Sequence, residues 1–149
     1  MIEGFGLAKY KFIFFNSADQ QAPMQYLFKL SDYIDKFDIV IAKYPDRKDP
    51  TVRKILSFCY HLILRKIFKT DVTNVNAMKL FKSETFLRDY DYIDNHAFDF
   101  HFLYVAINNG KTFYQVPFKH FERKKNKSSI NWFSSSFKTL KSLARIYFE

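Results

Sequence analysis

The residues best suited to chemistry fall in short polar clusters that follow apolar runs. Asp19 and Gln21 lie in Asn16-Ser-Ala-Asp-Gln-Gln21, directly after Lys11-Phe-Ile-Phe-Phe15. A carboxylate with an amide two residues on can hold a hard divalent cation, because such ions take oxygen ligands and share them with substrate phosphates. The commoner use of such an Asp is to cap the following helix. Arg123, Lys127 and Ser128 form an Arg-x-x-x-Lys-Ser pattern, in which Arg can clamp phosphate oxygens in bidentate fashion, Lys adds a point charge and Ser donates a hydrogen bond. Without a ligand it is a solvated basic loop. Arg47, Asp49-Pro50 and Arg53 make a third cluster with the same two readings. Asp99 and His101 occur in Phe98-Asp-Phe-His-Phe-Leu103, where a packed histidine competes with a catalytic one. His61, His96 and His120 show no metal-ligand spacing. The single cysteine, Cys59, has no partner for an internal disulfide, which fits a reducing compartment. With 3 glycines in 149 residues, neither a P-loop nor a Gly-x-Gly-x-x-Gly turn is present.

These clusters need elements to position them. Residues 11–15 read as a buried strand, residues 23–37 as a helix with apolar positions at Met24, Leu27, Phe28, Leu30 and Ile34, and residues 38–42 as a second buried strand. Strand, helix and strand in that order predict a βαβ unit, a parallel sheet and a ligand site at the strands' carboxyl ends. Asp49-Pro50 opens a long helix to about residue 68, with an Asp cap and Pro at the first helical position. Its apolar residues cover more than one face, so it is either sandwiched in protein or lies in a membrane interface. Residues 71–81 read as extended, 83–88 as a short helix, 89–94 as a loop and 97–108 as a helix ended by Asn109-Gly110. Residues 111–119 alternate as a strand, and Pro117 places it at a sheet edge or strand end. Phe133, Phe137, Leu140, Ala144 and Tyr147 then recur at helical spacing, with Lys138, Lys141 and Arg145 on other faces: an amphipathic basic helix.

Charge narrows the partners. The net charge is +9, and residues 111–149 carry 9 basic against 2 acidic groups, while residues 1–110 are nearly balanced. A basic end on a neutral body points to a phosphate-bearing partner. The aromatic residues lie at core spacings rather than between basic ones, which argues against nucleic acid. There is no apolar run long enough to span a bilayer and no signal-peptide pattern, so a cytoplasmic location, peripheral at the membrane, is expected.

Taken in order, residues 14–21, 38–53, Lys-Leu-Phe-Lys at 79–82, Phe-Asp-Phe-His-Phe-Leu at 98–103, Val-Pro-Phe-Lys-His-Phe-Glu-Arg at 116–123 and Lys-Ser at 127–128 resemble the family 2 glycosyltransferases. The resemblance is to the branch of dolichyl-phosphate mannosyltransferases and bacterial polyprenyl-phosphate relatives. It covers about residues 4–148 and implies an α/β fold: a three-layer α/β/α GT-A (Rossmann-like) domain, incomplete at its N-terminal nucleotide-binding half, over residues 1–129, with the amphipathic C-terminal helix at 130–149. It implies an inverting transfer of a sugar from a nucleotide-sugar to a polyprenyl phosphate or another membrane-associated acceptor, with Mg²⁺ or Mn²⁺ at Asp19 and Gln21. Arg123, Lys127 and Ser128 match the loop that closes over the donor diphosphate. Arg47 and Arg53 match positions associated with acceptor phosphate, Lys138, Lys141 and Arg145 would meet an anionic membrane surface, and Asp99 and His101 fall where a residue acts near the acceptor. Ser17 stands where the first Asp of the metal motif belongs, Asn126 replaces a loop Gly, and His101 replaces an acidic residue. The nucleotide-binding half would come from a second chain or a longer protein. The alternative is a catalytically degenerate relative that binds a membrane or a partner.

Overall fold

The computed structural model describes residues 2–16, 22–45, 51–92, 97–119, 121 and 132–148. They form a mixed α/β fold around a four-stranded sheet. The strands are β1 (Phe12–Phe15), β2 (Ile39–Lys43), β3 (Lys79–Lys82) and β4 (Phe113–Pro117), in the spatial order β1-β3-β2-β4. Among the described residues the helices are α1 (Ile2–Gly6), α2 (Tyr26–Ser31), α3 (Thr51–Ile67), α4 (Phe98–Asn108) and α5 (Trp132–Phe148), with a 3-10 turn at Ser83–Thr85.

The expected parallel βαβ pairing is corrected. β3 lies between β1 and β2 and runs antiparallel to both, and β2 pairs parallel with β4. β1, β2 and β4 therefore still point the same way, although β1 and β2 do not touch as neighbours. The register fixes the two faces. Ile13, Phe15, Phe81, Lys79, Ile39 and Ile41 share one, and Phe14, Leu80, Val40 and Tyr114 the other.

Helix α4 covers the first face. All but three of its residues are buried, as a helix apolar on every side requires. Phe102 meets Phe81 at 4.9 Å between ring centroids, and Phe5 of α1 packs edge-on to Phe15, Phe81 and Phe86. On its far side α4 meets the end of α3, where Phe68 contacts Phe100 and Tyr104, and Phe68 in turn meets Tyr147 of α5. Helix α2 covers the second face against β2 and β3. It is shorter than its apolar spacing predicts, because residues 32–36 continue as turns; Tyr33 within them and Phe37 just beyond stack on Tyr114.

Two termini show the local chemistry. Helix α4 ends at Gly110, whose φ of 76° lies in the left-handed region, and the N–H groups of Gly110 and Lys111 close on Ile107 and Ala106. Helix α3 is followed by Lys69 in the same region (φ 50°), a position where glycine is favoured. At the amino end of β2, Asp38 ties three strands together. One carboxylate oxygen accepts from the Thr112 N–H and hydroxyl, both at 2.9 Å, and the other accepts from Lys82 at 3.0 Å. The Thr112 N–H, helped by Lys82 and opposed by burial, holds the Asp38 carboxyl down to about 2.

Candidate functional site

The register brings Phe15, Lys79, Ile41 and Gln115 level across the sheet, so the carboxyl ends of β1, β2 and β4 form one edge. An edge of this kind is where open α/β sheets bind ligands. From it the chain leaves into residues 16–22, 44–51 and 118–131, the segments that carry Asp19, Gln21, Arg47, Arg123, Lys127 and Ser128.

The roots of these segments are built. Asn16 Nδ2 donates to the Ala22 carbonyl at 3.3 Å. Asn16 Oδ1 is buried and has no partner among the described residues. The Tyr44 N–H donates to Asn74 Oδ1 at 2.8 Å. Asn74 adopts a left-handed φ of 53°, which Asn tolerates, and its own N–H donates to His61 Nε2 at 3.2 Å. His61 Nδ1, 2.6 Å from the Ser57 carbonyl, is the donor there, so the imidazole is a neutral bridge from α3 to the loop before β3. On β4, the Phe118 N–H donates to Lys43, Tyr26 stacks on Phe118 at 4.2 Å, and the Tyr26 hydroxyl donates to the Lys119 carbonyl.

Asp19, Gln21, Arg47, Arg123, Lys127 and Ser128 lie outside the described residues. Arg53 falls on the first turn of α3, and its side chain is likewise outside them. Asp99, in the first turn of α4, accepts from the Lys79 ammonium, and both side chains are nearly or wholly buried. Lys79 also sits 4.7 Å from the centroid of Phe15. Burial pulls the Lys79 ammonium below its ordinary range, and Asp99 counters that pull. Burial, and then the charge of Asp99, raises the Tyr60 phenol of α3.

His101 is also buried, yet two residues along a helix it points away from Asp99. Its ring packs against Tyr90 and Tyr92, with Nε2 3.4 Å from the Tyr90 hydroxyl. Asp99 and His101 are therefore not brought to one point. Lys138, Lys141 and Arg145 are exposed on α5.

The faces of α3 and α5 add a second feature. Val52, Ile55, Phe58 and Leu62 are exposed along α3, and Phe137, Leu140 and Tyr147 along α5, where Leu143 and Ile146 bury instead. Neither helix contains an Asp or Glu. Both thus present apolar stripes on helices whose only charged side chains are basic. No described helix is long and apolar enough to cross a membrane.

Sequence reasoning passed over Lys79, Tyr60 and Asn16. The signal for Lys79 was available in Met78-Lys-Leu-Phe81: a lysine in so short an apolar strand must find a carboxylate. No protein-family model matches the chain, and no curated protein matches it.

Proposed function

We propose that the chain is the phosphate- and acceptor-facing part of a GT-A glycosyltransferase of family 2, working at a membrane surface on a polyprenyl phosphate or a similar membrane-held acceptor. The observation that supports this reading is the shared carboxyl edge of β1, β2 and β4. Three segments far apart in sequence are rooted there, and they carry Asp19 with Gln21, Arg47, and Arg123 with Lys127 and Ser128. Their residue types suit a diphosphate: carboxylate and amide oxygens on one side, guanidinium, ammonium and hydroxyl donors on the other.

The reaction on this reading is an inverting displacement. The acceptor oxygen attacks the anomeric carbon, that carbon's bond to the donor diphosphate breaks, and the nucleoside diphosphate leaves. Arg123, Lys127 and Ser128 donate to its oxygens as negative charge develops on them. The orphaned acceptor Asn16 Oδ1 at the root of residues 17–21 fits a cation or donor being held there. Asp19 and Gln21 would hold Mg²⁺ or Mn²⁺, which supplies further neutralisation of the leaving group. The acid-free faces of α3 and α5, with Lys138, Lys141 and Arg145, keep the site at an anionic bilayer.

Those same faces favour a second reading, a membrane-binding relative without catalysis. One experiment separates the two. The purified chain is titrated with nucleotide-sugars in the presence of Mn²⁺, and sugar transfer to polyprenyl phosphate in vesicles is followed. Binding that Arg123→Ala and Lys127→Ala each weaken about tenfold or more supports the enzyme. Vesicle binding with no nucleotide binding supports the second reading and rejects the first for this chain.

A further inference from the structure

The two edges of the sheet are finished differently. On β4 the outward-facing backbone positions are 113, 115 and 117. Pro117 has no N–H to leave unpaired, and the Gln115 side chain exchanges hydrogen bonds with Thr73, which brings the loop before β3 against that strand. On β1 the bond from the Ser83 N–H to the Lys11 carbonyl, 2.8 Å, sets the alternation. Lys11, Ile13 and Phe15 face β3, so the N–H and C=O groups of Phe12 and Phe14 face outward. No described residue bonds them. The strand Phe12–Phe15 contains no charge and no proline, the usual protections of an edge. Phe12 is 39% exposed, and Tyr10 just before the strand is 85% exposed.

We propose that β1 pairs antiparallel with β1 of a second copy of this chain, about a two-fold axis at Ile13, joining two four-stranded sheets into one. The strand is self-complementary in this register. With Ile13 opposite its equivalent, Phe12 of each copy meets Phe14 of the other, and each such pair exchanges both of its hydrogen bonds. All outward groups of the strand are then satisfied. The charges also fit: Lys11 falls opposite Phe15, so no like charges face each other along the pairing. The excess positive charge that would oppose association lies mainly in residues 111–149, not in this end of the chain. A strand from a different protein could use the same groups, but nothing would then require the pairing to be symmetric. The contact is small by the standard of stable dimers, so its dissociation constant should be micromolar.

Sedimentation velocity of the full chain from about 1 to about 200 μM tests the proposal. Concentration-dependent dimerisation is expected. Phe14→Pro should weaken it at least tenfold and leave the far-ultraviolet circular dichroism unchanged, because its missing N–H faces away from β3. Phe12→Lys, at an exposed side chain, is the second variant and should act in the same direction. Ile13→Cys in a Cys59→Ser background should form a symmetric disulfide, since directly opposed non-hydrogen-bonded residues approach to about 4.5 Å. A monomer across the whole range overturns the proposal. So does a dimer that resists both edge variants and yields no disulfide at position 13.

Discussion

Asp99→Ala would leave the Lys79 ammonium wholly buried in the sheet with its carboxylate gone. Lys79 is 0% exposed, and the ring of Phe15 beside it is a poor replacement for a full negative charge. Breaking a buried pair from one side costs about 3–5 kcal/mol, most of it the uncompensated charge left behind. Lys79→Met should cost somewhat less, because the Asp99 side chain keeps 10% exposure and so retains some contact with water. The double variant, Lys79→Met with Asp99→Leu, removes both charges and fills the space with carbon. It should lie within about 1–2 kcal/mol of the parent, since apolar replacement of a buried pair is commonly neutral or stabilising.

The assay is equilibrium unfolding in urea, followed by far-ultraviolet circular dichroism, for the parent, Asp99→Ala, Lys79→Met, Asp99→Leu and the double, the last three closing the cycle with the parent. The expected coupling energy is at least about 3 kcal/mol, well above the scatter of independent sites. An Asp99→Ala cost under about 1 kcal/mol, or a double variant as unstable as the sum of the singles, would refute the reasoning. Phenolate titration gives a separate readout. Because the charge of Asp99 helps to raise the Tyr60 phenol, Asp99→Asn should move its titration downward while burial still holds it high.

Other perturbations have equally definite signs. The Asp38 carboxyl, lowered from 3.8 to about 2 in the fold, contributes stability that is fully present above about pH 4 and is lost as pH falls from there toward 2. Solvent screening trims that contribution to about 1–2 kcal/mol, and Asp38→Asn should flatten this part of the stability profile in acid titrations. Gly110→Ala should cost about 1 kcal/mol from backbone strain alone, because an added Cβ meets no atom within 4 Å, whereas Lys69→Gly should stabilise by a similar amount; thermal unfolding reports both. Phe58→Asp and Phe137→Asp should each weaken binding to vesicles rich in anionic lipid about tenfold, read by co-sedimentation, since each removes one exposed aromatic ring from an insertion face.

The strands β1 and β2 could be read from their sequence because each is a short apolar run rich in β-formers between polar clusters, and α4 because Asn109-Gly110 stops it. Strand β3 could not be delimited. Its four residues begin and end in lysine, and the burial of Lys79 depends on Asp99, which no local pattern connects to it. Helix α1 was missed because two of its five residues are glycine; it is held by Phe5 among the rings of Phe15, Phe81, Phe86, Phe98 and Phe102. Helix α5 was legible as amphipathic, but which apolar stripe packs inward is a tertiary choice. Leu143 and Ile146 were taken for the core, and the stripe through Phe137, Leu140 and Tyr147 stayed outside. For the candidate site, the sequence could order the polar clusters but not show that their roots share an edge, because the antiparallel insertion of β3 is invisible to periodicity.

That insertion sets the scale of the site on the proposed reading. From β1 to β4 there are three interstrand spacings, about 14 Å, so Asp19 and Arg123 are rooted at opposite ends of the edge. Arg123 lies six residues beyond Pro117, and that length of extended chain reaches about 20 Å. The basic segment can therefore cross to the root of β1, and Lys127 with still more slack. Asp99 neutralises Lys79, so this pair adds no net attraction for an anion. On the proposed reading, the pull on a diphosphate comes from the charges of Arg123 and Lys127 and from a cation held by Asp19 and Gln21. Nucleotide affinity should accordingly weaken with salt through the charges of Arg123 and Lys127, and be nearly indifferent to paired removal of Lys79 and Asp99.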